Sequence, residues 1–377
     1  MKQEISLYIH IPFCRRKCNY CSFVSYGGHE ADIPAYVASL KQELAFRAGG
    51  ELIRSIYFGG GTPSLLSSAR VDDILSTIRS LFAVNKDAEI TIEANPGTVD
   101  ARYLADIRAA GINRLSLGVQ SFDDNELALL GRIHTAAEAR EAVKLARNAG
   151  FANLNLDLIY GLPGQNLAGW QNTLKQAIGL SPEHISLYAL TLEEDAPLFQ
   201  TIGRGDLPAL DTDLTADMYE LAEDMLGKYG YRHYEISNWS KPGFECRHNL
   251  VYWHNLPYIG AGVAAHSCID GRRLANTSDL DTYLNAFSRN KPPMHELDEA
   301  IGPELQLSET VILGLRLSEG IGTDYIKNHF GIDLFKRYGS EIEELSDLGL
   351  VECTDRCIRL TSRGRLLGNE VFWRFLP

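Results

Sequence analysis

The first half of the chain alternates short β-rich runs with amphipathic helical patterns, and this alternation limits the possible folds more than any other feature. The predicted strands are residues 5–11, 54–58, 88–93, 113–118, 153–159 and 184–190. Helical patterns at 34–47, 69–82, 100–110, 136–149 and 168–180 separate them. This order indicates βα units around a parallel sheet. Six units are too few for an ordinary eight-stranded barrel, so the sequence predicts an α/β fold with a curved, partly open (β/α)6 barrel.

Three cysteines follow the first predicted strand with the spacing CxxxCxxC. Cys14, Cys18 and Cys21 lie in one short loop, in the stretch HIPFCRRKCNYCSF. In βα barrels the chemistry occurs at the C-terminal ends of the strands, where this loop begins. Three thiolates in such a loop can hold one side of a cubic iron–sulfur cluster. One iron is then left without a protein ligand and can chelate a small molecule, as a catalytic metal with an open position does.

Two alternatives remain for the cysteine loop. One is a structural zinc site in which His10 or His29 supplies the fourth ligand. The other is a loop whose cysteines are unrelated. Zinc knuckles more often show paired CxxC units, so the spacing favours the cluster without excluding zinc.

The second predicted strand ends in three glycines and a threonine. Gly59, Gly60, Gly61 and Thr62 let the backbone approach a ligand closely, and their peptide groups can bond the polar end of an amino acid. The alternative is a tight turn before the helix that begins near Ser67. The position of the glycines, one βα unit after the cysteine loop, favours ligand binding.

Polar side chains lie at or just after the next strand ends, namely Glu93, Gln120, Arg132 and Asp157. A carboxylate can accept hydrogen bonds from two neighbouring hydroxyls, and a guanidinium can pair with a carboxylate in a fork. Each residue alone fits a surface or capping role, but the set indicates a ligand site at the barrel mouth. Tyr8 and Tyr20 flank the cysteines, where they fit either ligand contact or core packing.

The second half of the chain loses the alternation. A helix at 213–228 and a strand at 232–236 precede a glycine- and aromatic-rich stretch, residues 240–271, which we predict to be a loop region. Helices at 307–316, 323–330 and 334–348 and a hairpin at 351–360 resemble a small winged-helix module. We therefore predict a barrel over residues 1–195, a connecting α+β segment over 196–300 and a small, mainly α, winged-helix-like domain over 301–377.

Charge and composition exclude several classes of function. The 377 residues, 45% hydrophobic, exceed the usual size of a single core. A net charge of −13 opposes affinity for nucleic acid or anionic lipid. The winged-helix-like part has nine Lys and Arg against twelve Asp and Glu, which opposes a DNA-binding role. We find no signal peptide and no apolar stretch of membrane-spanning length, and seven clustered cysteines suit a reducing compartment, so we expect a cytoplasmic protein.

Several motifs together resemble the oxygen-independent coproporphyrinogen III oxidase family of radical S-adenosylmethionine (SAM) proteins. The matching stretches are IHIPFCRRKCNYCSF, YFGGGTPSLL, TIEANPGT, RLSLGVQSFDDNELALLGRIHT, NLDLIYGLPGQ and IRLTSRGRLLGNEVF, which span nearly the whole chain. The resemblance implies a [4Fe-4S] cluster on Cys14, Cys18 and Cys21, whose open iron holds the amino and carboxylate groups of SAM. It also implies SAM contacts from Tyr8, Tyr20, Gly60, Gly61, Thr62, Glu93, Gln120, Arg132, Asp157 and Ala189.

One further motif resembles a single branch of that family. The stretch RHNLVYW, residues 247–253, is similar to the HNxxYW signature of the HemW-type haem-chaperone branch. This resemblance makes His248 a candidate axial haem ligand, with Tyr252 and Trp253 lining the porphyrin face. The alternative is a histidine that is hydrogen-bonded within a buried loop.

Two departures from the oxidases place decarboxylation in doubt. The oxidases continue the motif as CxxxCxxCxC, and Phe23 stands where the last cysteine would be. The extension that the oxidases have before their first strand is also missing here, since four residues precede Ile5. Neither departure affects the cluster or the SAM residues.

The resemblance leads us to expect a haem chaperone that binds haem and transfers it to an acceptor haemoprotein. The expected cofactors are the [4Fe-4S] cluster, SAM and haem, and an electron donor is an additional candidate partner. The alternative is an enzyme, either a coproporphyrinogen III decarboxylase or a radical porphyrin-ring-opening enzyme.

Overall fold

A computed structural model of the chain describes residues 3–288 and 295–377. Its first half is the barrel that the sequence predicts. The six barrel strands are β1 (Glu4–Ile11), β2 (Leu52–Gly60), β3 (Ala83–Ala94), β4 (Arg114–Gln120), β5 (Leu154–Tyr160) and β6 (His184–Ala189). Each strand pairs in parallel with the next one along the chain. The fold-class prediction is therefore confirmed.

Helices cover the outer face of this parallel sheet. They are α1 (Ile33–Arg47), α2 (Ser68–Leu81), α3 (Ala101–Ala110), α4 (Asp124–Leu129), α5 (Ala136–Asn148) and α6 (Leu167–Gly179). In α2 the buried residues Val71, Ile74, Leu75 and Ile78 recur at helical spacing and form its core face. A capping box of Thr135 and Glu138 fixes the start of α5.

The alternation of side chains along the barrel strands separates an apolar layer from a polar interior. In β1 the odd-numbered residues 5–11 are fully buried isoleucines and leucine of the main core. The even-numbered residues Ser6, Tyr8 and His10 point to the opposite face, because successive strand residues alternate sides. The interior of the barrel is therefore lined by polar and aromatic groups that can contact a ligand.

The connecting segment extends the same sheet at both edges. Its strands are β7 (Arg232–Glu235), β8 (Asn238–Ser240), β9 (Tyr258–Ala261), β10 (His266–Ile269), β11 (Arg272–Asn276) and β12 (His295–Ala300). Within the described residues the sheet has twelve strands in the order β12-β11-β10-β9-β1-β2-β3-β4-β5-β6-β8-β7. The helices of this segment are α7 (Pro197–Gly203), α8 (Thr212–Lys228), α9 (Arg247–Trp253) and α10 (Leu280–Ser288).

The prediction that residues 240–271 form a loop region is wrong, because the stretch contains α9, β9 and β10. These elements are short and depend on partners far away in the sequence, since β9 pairs in parallel with β1. Gly260, which lowers the local strand propensity, is required by close packing. A Cβ at this position would lie 2.0 Å from the carbonyl oxygen of His266.

The C-terminal part has a separate apolar core. Its elements are α11 (Pro303–Gly314), β13 (Ile321–Gly322), α12 (Thr323–Phe330), α13 (Leu334–Arg337), α14 (Gly339–Asp347), β14 (Val351–Cys353), β15 (Cys357–Leu360), α15 (Ser362–Leu366) and α16 (Gly368–Phe372). The single helix predicted at 334–348 is in fact two helices, because the backbone of Tyr338 leaves the helical region. The division at residues 195 and 300 stays a prediction.

The C-terminal part contacts the end of α9 and the residues that follow it. The side chain of Asn255 donates a hydrogen bond to the hydroxyl of Thr310 over 3.0 Å. The guanidinium of Arg316 lies 5.4 Å from the centre of the Trp253 ring. The helix that contains the HNxxYW motif is therefore covered by the C-terminal domain rather than exposed.

Candidate functional site

The cysteine loop begins where β1 ends, at the mouth of the barrel. Cys14 is buried, and Cys18 and Cys21 are partly exposed. The hydroxyl of Thr62 lies 3.5 Å from the Cys14 sulfur, and Nη1 of Arg132 lies 3.4 Å from the Cys18 sulfur. Both contacts come from residues that the sequence assigned to the same site. The structure therefore brings the glycine-rich turn and Arg132 against the cysteines.

Electrostatics at the loop favour a positively charged group beside the thiols. Burial, followed by the neighbouring Cys18 and Cys14 thiols, raises the pKa of Cys21 despite the opposing backbone and Lys17 contributions. Thiolates crowded together in a partly buried loop repel one another, and iron atoms would neutralise that charge. The charge balance of the loop would therefore favour bound iron over three free thiolates.

Of the two histidines predicted for a zinc site, His10 has both ring nitrogens bonded, whereas His29 is bonded through one. The Nδ1 atom of His10 bonds the Tyr8 hydroxyl over 3.2 Å, and Nε2 bonds the Val24 carbonyl over 3.0 Å. His29 pairs through Nδ1 with Asp32. Among the described residues, no three His, Cys, Asp or Glu side chains are already grouped so that they could hold one metal ion, and this includes the three cysteines of the loop.

The glycine triplet allows the end of β2 to pack against the cysteine loop. Gly60 has a φ of +114°, and a Cβ there would lie 2.6 Å from Cε1 of His10. A Cβ on Gly61 would lie 2.7 Å from the Phe13 carbonyl oxygen and 3.0 Å from the Cys14 sulfur. Gly60 is therefore required for close packing against His10, and a larger residue would displace that histidine.

Two carboxylates line the barrel interior below the loop. Glu93 accepts a hydrogen bond from the Tyr57 hydroxyl over 2.8 Å. Asp157 accepts from Ser116 over 2.7 Å and from the Asn155 amide over 2.8 Å. Burial, followed by the charge of Asp157, raises the pKa of Glu93 to about 7. Burial also raises the pKa of Asp157, and hydrogen bonds from Ser116, Asn155 and Ser186 oppose that rise.

Arg132 connects the cysteine loop to the end of β4. Its Nη2 donates to the Gly118 carbonyl over 2.6 Å, and its buried Nε has no hydrogen-bond partner. Gln120, at the end of the same strand, has a φ of +67°. A Cβ on Gly118 would lie 3.0 Å from Nε2 of Gln120 and 3.2 Å from Nη2 of Arg132, so both polar groups lie over this glycine.

The two remaining predicted contacts are Tyr20 and Ala189. Burial raises the pKa of Tyr20, while the adjacent Arg132 guanidinium lowers it. Ala189 is exposed at the end of β6. The predicted SAM residues are thus distributed around the mouth and upper interior of one barrel, but their assignment as SAM contacts stays a prediction.

Comparison with known proteins identifies the family. A model of the radical SAM superfamily matches residues 8–177, and a model of the HemN C-terminal domain matches residues 302–367. The heme chaperone HemW of Bacillus subtilis is 35% identical, with 98% of this chain and 99% of that protein aligned. HemW of Lactococcus lactis is 37% identical, with 100% and 98% aligned. The chain belongs to the HemW family of radical SAM proteins.

Further matches agree with this membership. HemW of Escherichia coli is 43% identical over 72% of this chain and 73% of that protein. The solved structure of the coproporphyrinogen III oxidase HemN from Escherichia coli superposes with a TM-score of 0.86 at 26% identity, covering 99% of this chain and 90% of that one. Membership of the radical SAM superfamily implies a [4Fe-4S] cluster and SAM as cofactors. Within the described residues, no helix combines the length and apolar character needed to cross a membrane.

The HemW signature histidine lies in the barrel interior. His248 is only 1% exposed. Its Nδ1 bonds the Ser55 hydroxyl and its Nε2 bonds the Tyr252 hydroxyl, each over 2.9 Å. Its ring stacks on Tyr57 with the centroids 5.0 Å apart. Both nitrogens are occupied, as the buried-histidine alternative expects, and the assignment of His248 as an axial haem ligand stays a prediction.

The helix that contains His248 is held by a buried glutamate. Glu89 accepts hydrogen bonds from the backbone nitrogens of Arg247 over 3.1 Å and His248 over 3.0 Å. Glu89 lies on β3 two residue pairs before Glu93, towards the N-terminal end of the barrel. Helix α9 therefore packs inside that end, opposite the cysteine loop.

Sequence reasoning missed several residues of the barrel interior. Tyr57 orients Glu93 and stacks on His248, and Ser116 and Asn155 hold Asp157. Arg114 is 1% exposed, and its Nε has no partner. Side chains two residues apart on a strand point to the same face. Tyr57 therefore shares a face with Gly59, Arg114 and Ser116 share one with Gly118, and Asn155 shares one with Asp157. This alternation is the sequence signal that could have identified them.

Proposed function

We propose that this HemW-family protein binds haem and transfers it to an acceptor haemoprotein. The observation that carries the proposal is the full-length similarity to relatives named heme chaperones, at 35% and 37% identity with nearly complete coverage of both chains. A shared barrel alone would not support this function, because one fold serves many activities. Here the similarity extends over the cysteine loop, the HNxxYW helix and the C-terminal domain.

The cluster and SAM retain a defined place in this proposal. A [4Fe-4S] cluster with SAM supplies one-electron chemistry when both are bound. Cys14, Cys18 and Cys21 would hold the cluster. Arg132 places a positive charge beside the Cys18 sulfur and in reach of a ligand carboxylate.

Glu93 would accept the ribose hydroxyls of SAM. The Tyr57 hydroxyl donates to Oε1 of Glu93, and a hydrogen bond from the Gly60 backbone also lowers the pKa of this carboxyl. Because the pKa of Glu93 is about 7, the carboxylate is largely ionised only above neutral pH in the free protein. Hydroxyl donors from a ligand would stabilise the ionised form.

The second candidate function is coproporphyrinogen III oxidation. The TM-score of 0.86 with HemN favours it. Against it stands Phe23, which is 65% exposed beside the cluster loop and occupies the position of the fourth cysteine in the oxidase motif. A phenylalanine can neither bind iron nor donate a proton, so any oxidase step that needs that thiol is lost.

One anoxic experiment separates the two functions. The full chain, reconstituted with iron and sulfide, is mixed with haem in one arm and with coproporphyrinogen III, SAM and a reductant in the other. We expect a Soret band from bound haem and no protoporphyrinogen by chromatography. Porphyrin turnover by the wild-type protein would refute the chaperone proposal.

The partners follow from this proposal. The acceptor is an apo-haemoprotein, and transfer is measured as the movement of the Soret band from this chain to the acceptor after mixing. A reduced one-electron donor would act on the cluster. We place the process in the cytoplasm, where a reducing environment keeps the cysteines available to iron.

A further inference from the structure

A cavity of about 390 Å³ lies between the cysteine loop, α9 and strands β9 and β10. Its size falls in the range of small-molecule sites, which is roughly 300–1,000 Å³. Four aromatic rings line it, from Tyr8, Phe23, Tyr252 and Tyr258. The cavity is therefore apolar and aromatic over much of its wall, and it adjoins the predicted SAM contact Tyr8.

His266 also lines this cavity and differs from the other histidines of the barrel. It is exposed, and no hydrogen bond to its ring is found among the described residues. His10, which lines the same cavity, bonds through both ring nitrogens, as does His248. An imidazole nitrogen without a hydrogen-bond partner is available to bind haem iron, and histidine is a common ligand of that iron. The His266 ring meets this condition, whereas both ring nitrogens of His10 and His248 are engaged.

The backbone that presents His266 is firmly held. His266 begins β10 and pairs with Ala275 on β11. The following residue, Ser267, accepts a hydrogen bond from the Gly260 nitrogen over 3.0 Å. Any side chain at Gly260 would strike the His266 carbonyl, so the two strands approach closely there. A ligand bond made by His266 would thus be fixed relative to the cavity.

Phe23 gives the second independent indication of a ligand. Its large apolar ring is 65% exposed at the cavity, although removing such a ring from water is favourable. A flat aromatic ligand would cover the ring and stack on it, as aromatic pairs do. The residue that replaces the oxidase cysteine and the free histidine therefore face the same space.

We propose that this cavity binds haem, with His266 as an axial ligand of the iron and Phe23 packed on the porphyrin. The inference rests on the proposed function and names its binding site. It also reassigns the role that the sequence gave to His248. An open site beside the cysteine loop suits a cargo that must leave again for an acceptor.

The test compares His266→Ala with His254→Ala, a histidine that follows α9 and does not line the cavity. Each full-length, cluster-loaded variant is titrated with ferric haem, and the Soret position and the electron paramagnetic resonance spectrum are recorded. We expect His266→Ala to alter both spectra and to weaken haem binding by at least the roughly 10–100-fold that loss of a supporting contact costs at metal sites. His254→Ala should match the wild type.

Two additional measurements make the assignment specific. Free imidazole added to His266→Ala should restore the wild-type Soret position, because it can occupy the vacated coordination position. Phe23→Ala should weaken haem binding without changing the ligand-field spectrum. Circular dichroism and iron content of each variant show that the fold and cluster are intact.

The outcomes separate this inference from the function on which it rests. If the wild type binds no haem, both fail. If the wild type binds haem and His266→Ala is spectroscopically unchanged, only the ligand assignment fails. If His266→Ala loses SAM binding by calorimetry while its haem spectrum is retained, the cavity belongs to SAM and the inference is overturned.

Discussion

Replacing His248 with alanine tests whether the HemW signature histidine supports the fold or holds haem. The imidazole hydrogen-bonds Ser55 and Tyr252 and stacks on Tyr57. Alanine removes both hydrogen bonds and leaves a space beneath the Tyr57 ring. If the structural role is correct, His248→Ala lowers the free energy of unfolding and leaves the haem spectrum unchanged.

The expected loss of unfolding free energy follows from the polar groups that lose His248 as a partner. Ser55 keeps its hydrogen bond to Ser6 over 2.7 Å, so it loses only one of its two hydrogen bonds. Each buried polar group left without a partner costs about 1–3 kcal/mol, and the lost packing adds to this. We expect a total of roughly 3–5 kcal/mol. Ser55→Ala, which leaves the His248 ring in place, should cost less, about 1–3 kcal/mol.

The assay is urea denaturation of the cluster-free chain, followed by tryptophan fluorescence, beside a haem titration of the cluster-loaded chain. His254→Ala serves as the control for removal of a histidine at the end of the same helix. The reasoning is refuted if His248→Ala unfolds at the wild-type urea concentration but loses the wild-type Soret band. That result would make His248 the haem ligand and would require α9 to move when haem binds.

Three further predictions concern the cofactor sites and pH. The wild-type chain should bind a cluster of about four irons in anoxic reconstitution, and alanine at Cys14, Cys18 or Cys21 should abolish it, as measured by iron and sulfide analysis. One tightly bound zinc without sulfide in the wild type would contradict the cluster. SAM affinity of the cluster-loaded chain should rise from pH 6 to pH 8 as Glu93 ionises near its pKa of about 7. Calorimetry of Glu93→Gln should show weaker SAM binding that does not change over this pH range. If the SAM affinity of Glu93→Gln rises with pH as steeply as that of the wild type, Glu93 does not contact SAM. Burial lowers the pKa of His10 and His134 to about 4 and of His248 to about 3. The unfolded chain therefore binds more protons at these residues, and stability should fall as pH drops from about 6.5 to about 4. Burial also lowers the pKa values of His184, His233, His254 and His295. Four acids whose pKa values burial raises oppose this trend but are fewer than the seven histidines, namely Glu93, Glu126, Asp157 and Glu235. A urea midpoint that rises on acidification would contradict the balance.

The barrel was predictable because its signals are local. Each of the six strands and its helix carries a periodic apolar pattern, and the observed ends differ from the predicted ones by a few residues. The stretch 240–271 was not predictable in this way. Strand β9 has four residues, two of them small, and exists because it pairs with β1 more than two hundred residues earlier. Gly260 weakens the local signal for the same reason that it is needed, close approach to β10.

The sequence was enough to name most candidate residues of the site, but not the contacts that each of them makes. The cysteines, Glu93, Arg132 and Asp157 follow from their positions at strand ends. Gly60 was expected to leave space for a ligand, whereas its absent side chain leaves space for His10. The period of two that places Tyr57 and Arg114 inside the barrel is visible in the sequence, but their partners come from neighbouring strands and from α9. Such contacts depend on register, which a single sequence does not contain.

His248 and His266 show how burial separates a histidine that can bind iron from one that stabilises the fold. From the sequence His248 is the better candidate for the haem ligand, because it belongs to a family signature that also contains Tyr252 and Trp253. In the structure its nitrogens are both satisfied inside the barrel. Freeing Nε2 would remove the hydrogen bond of the Tyr252 hydroxyl, and freeing Nδ1 would leave Ser55 with only its bond to Ser6. His266 belongs to no motif that the sequence marked, yet its ring is exposed at an aromatic cavity. Binding iron there requires no internal hydrogen bond to break, so a chaperone that must both take up and release haem would encounter the smaller energetic barrier at His266.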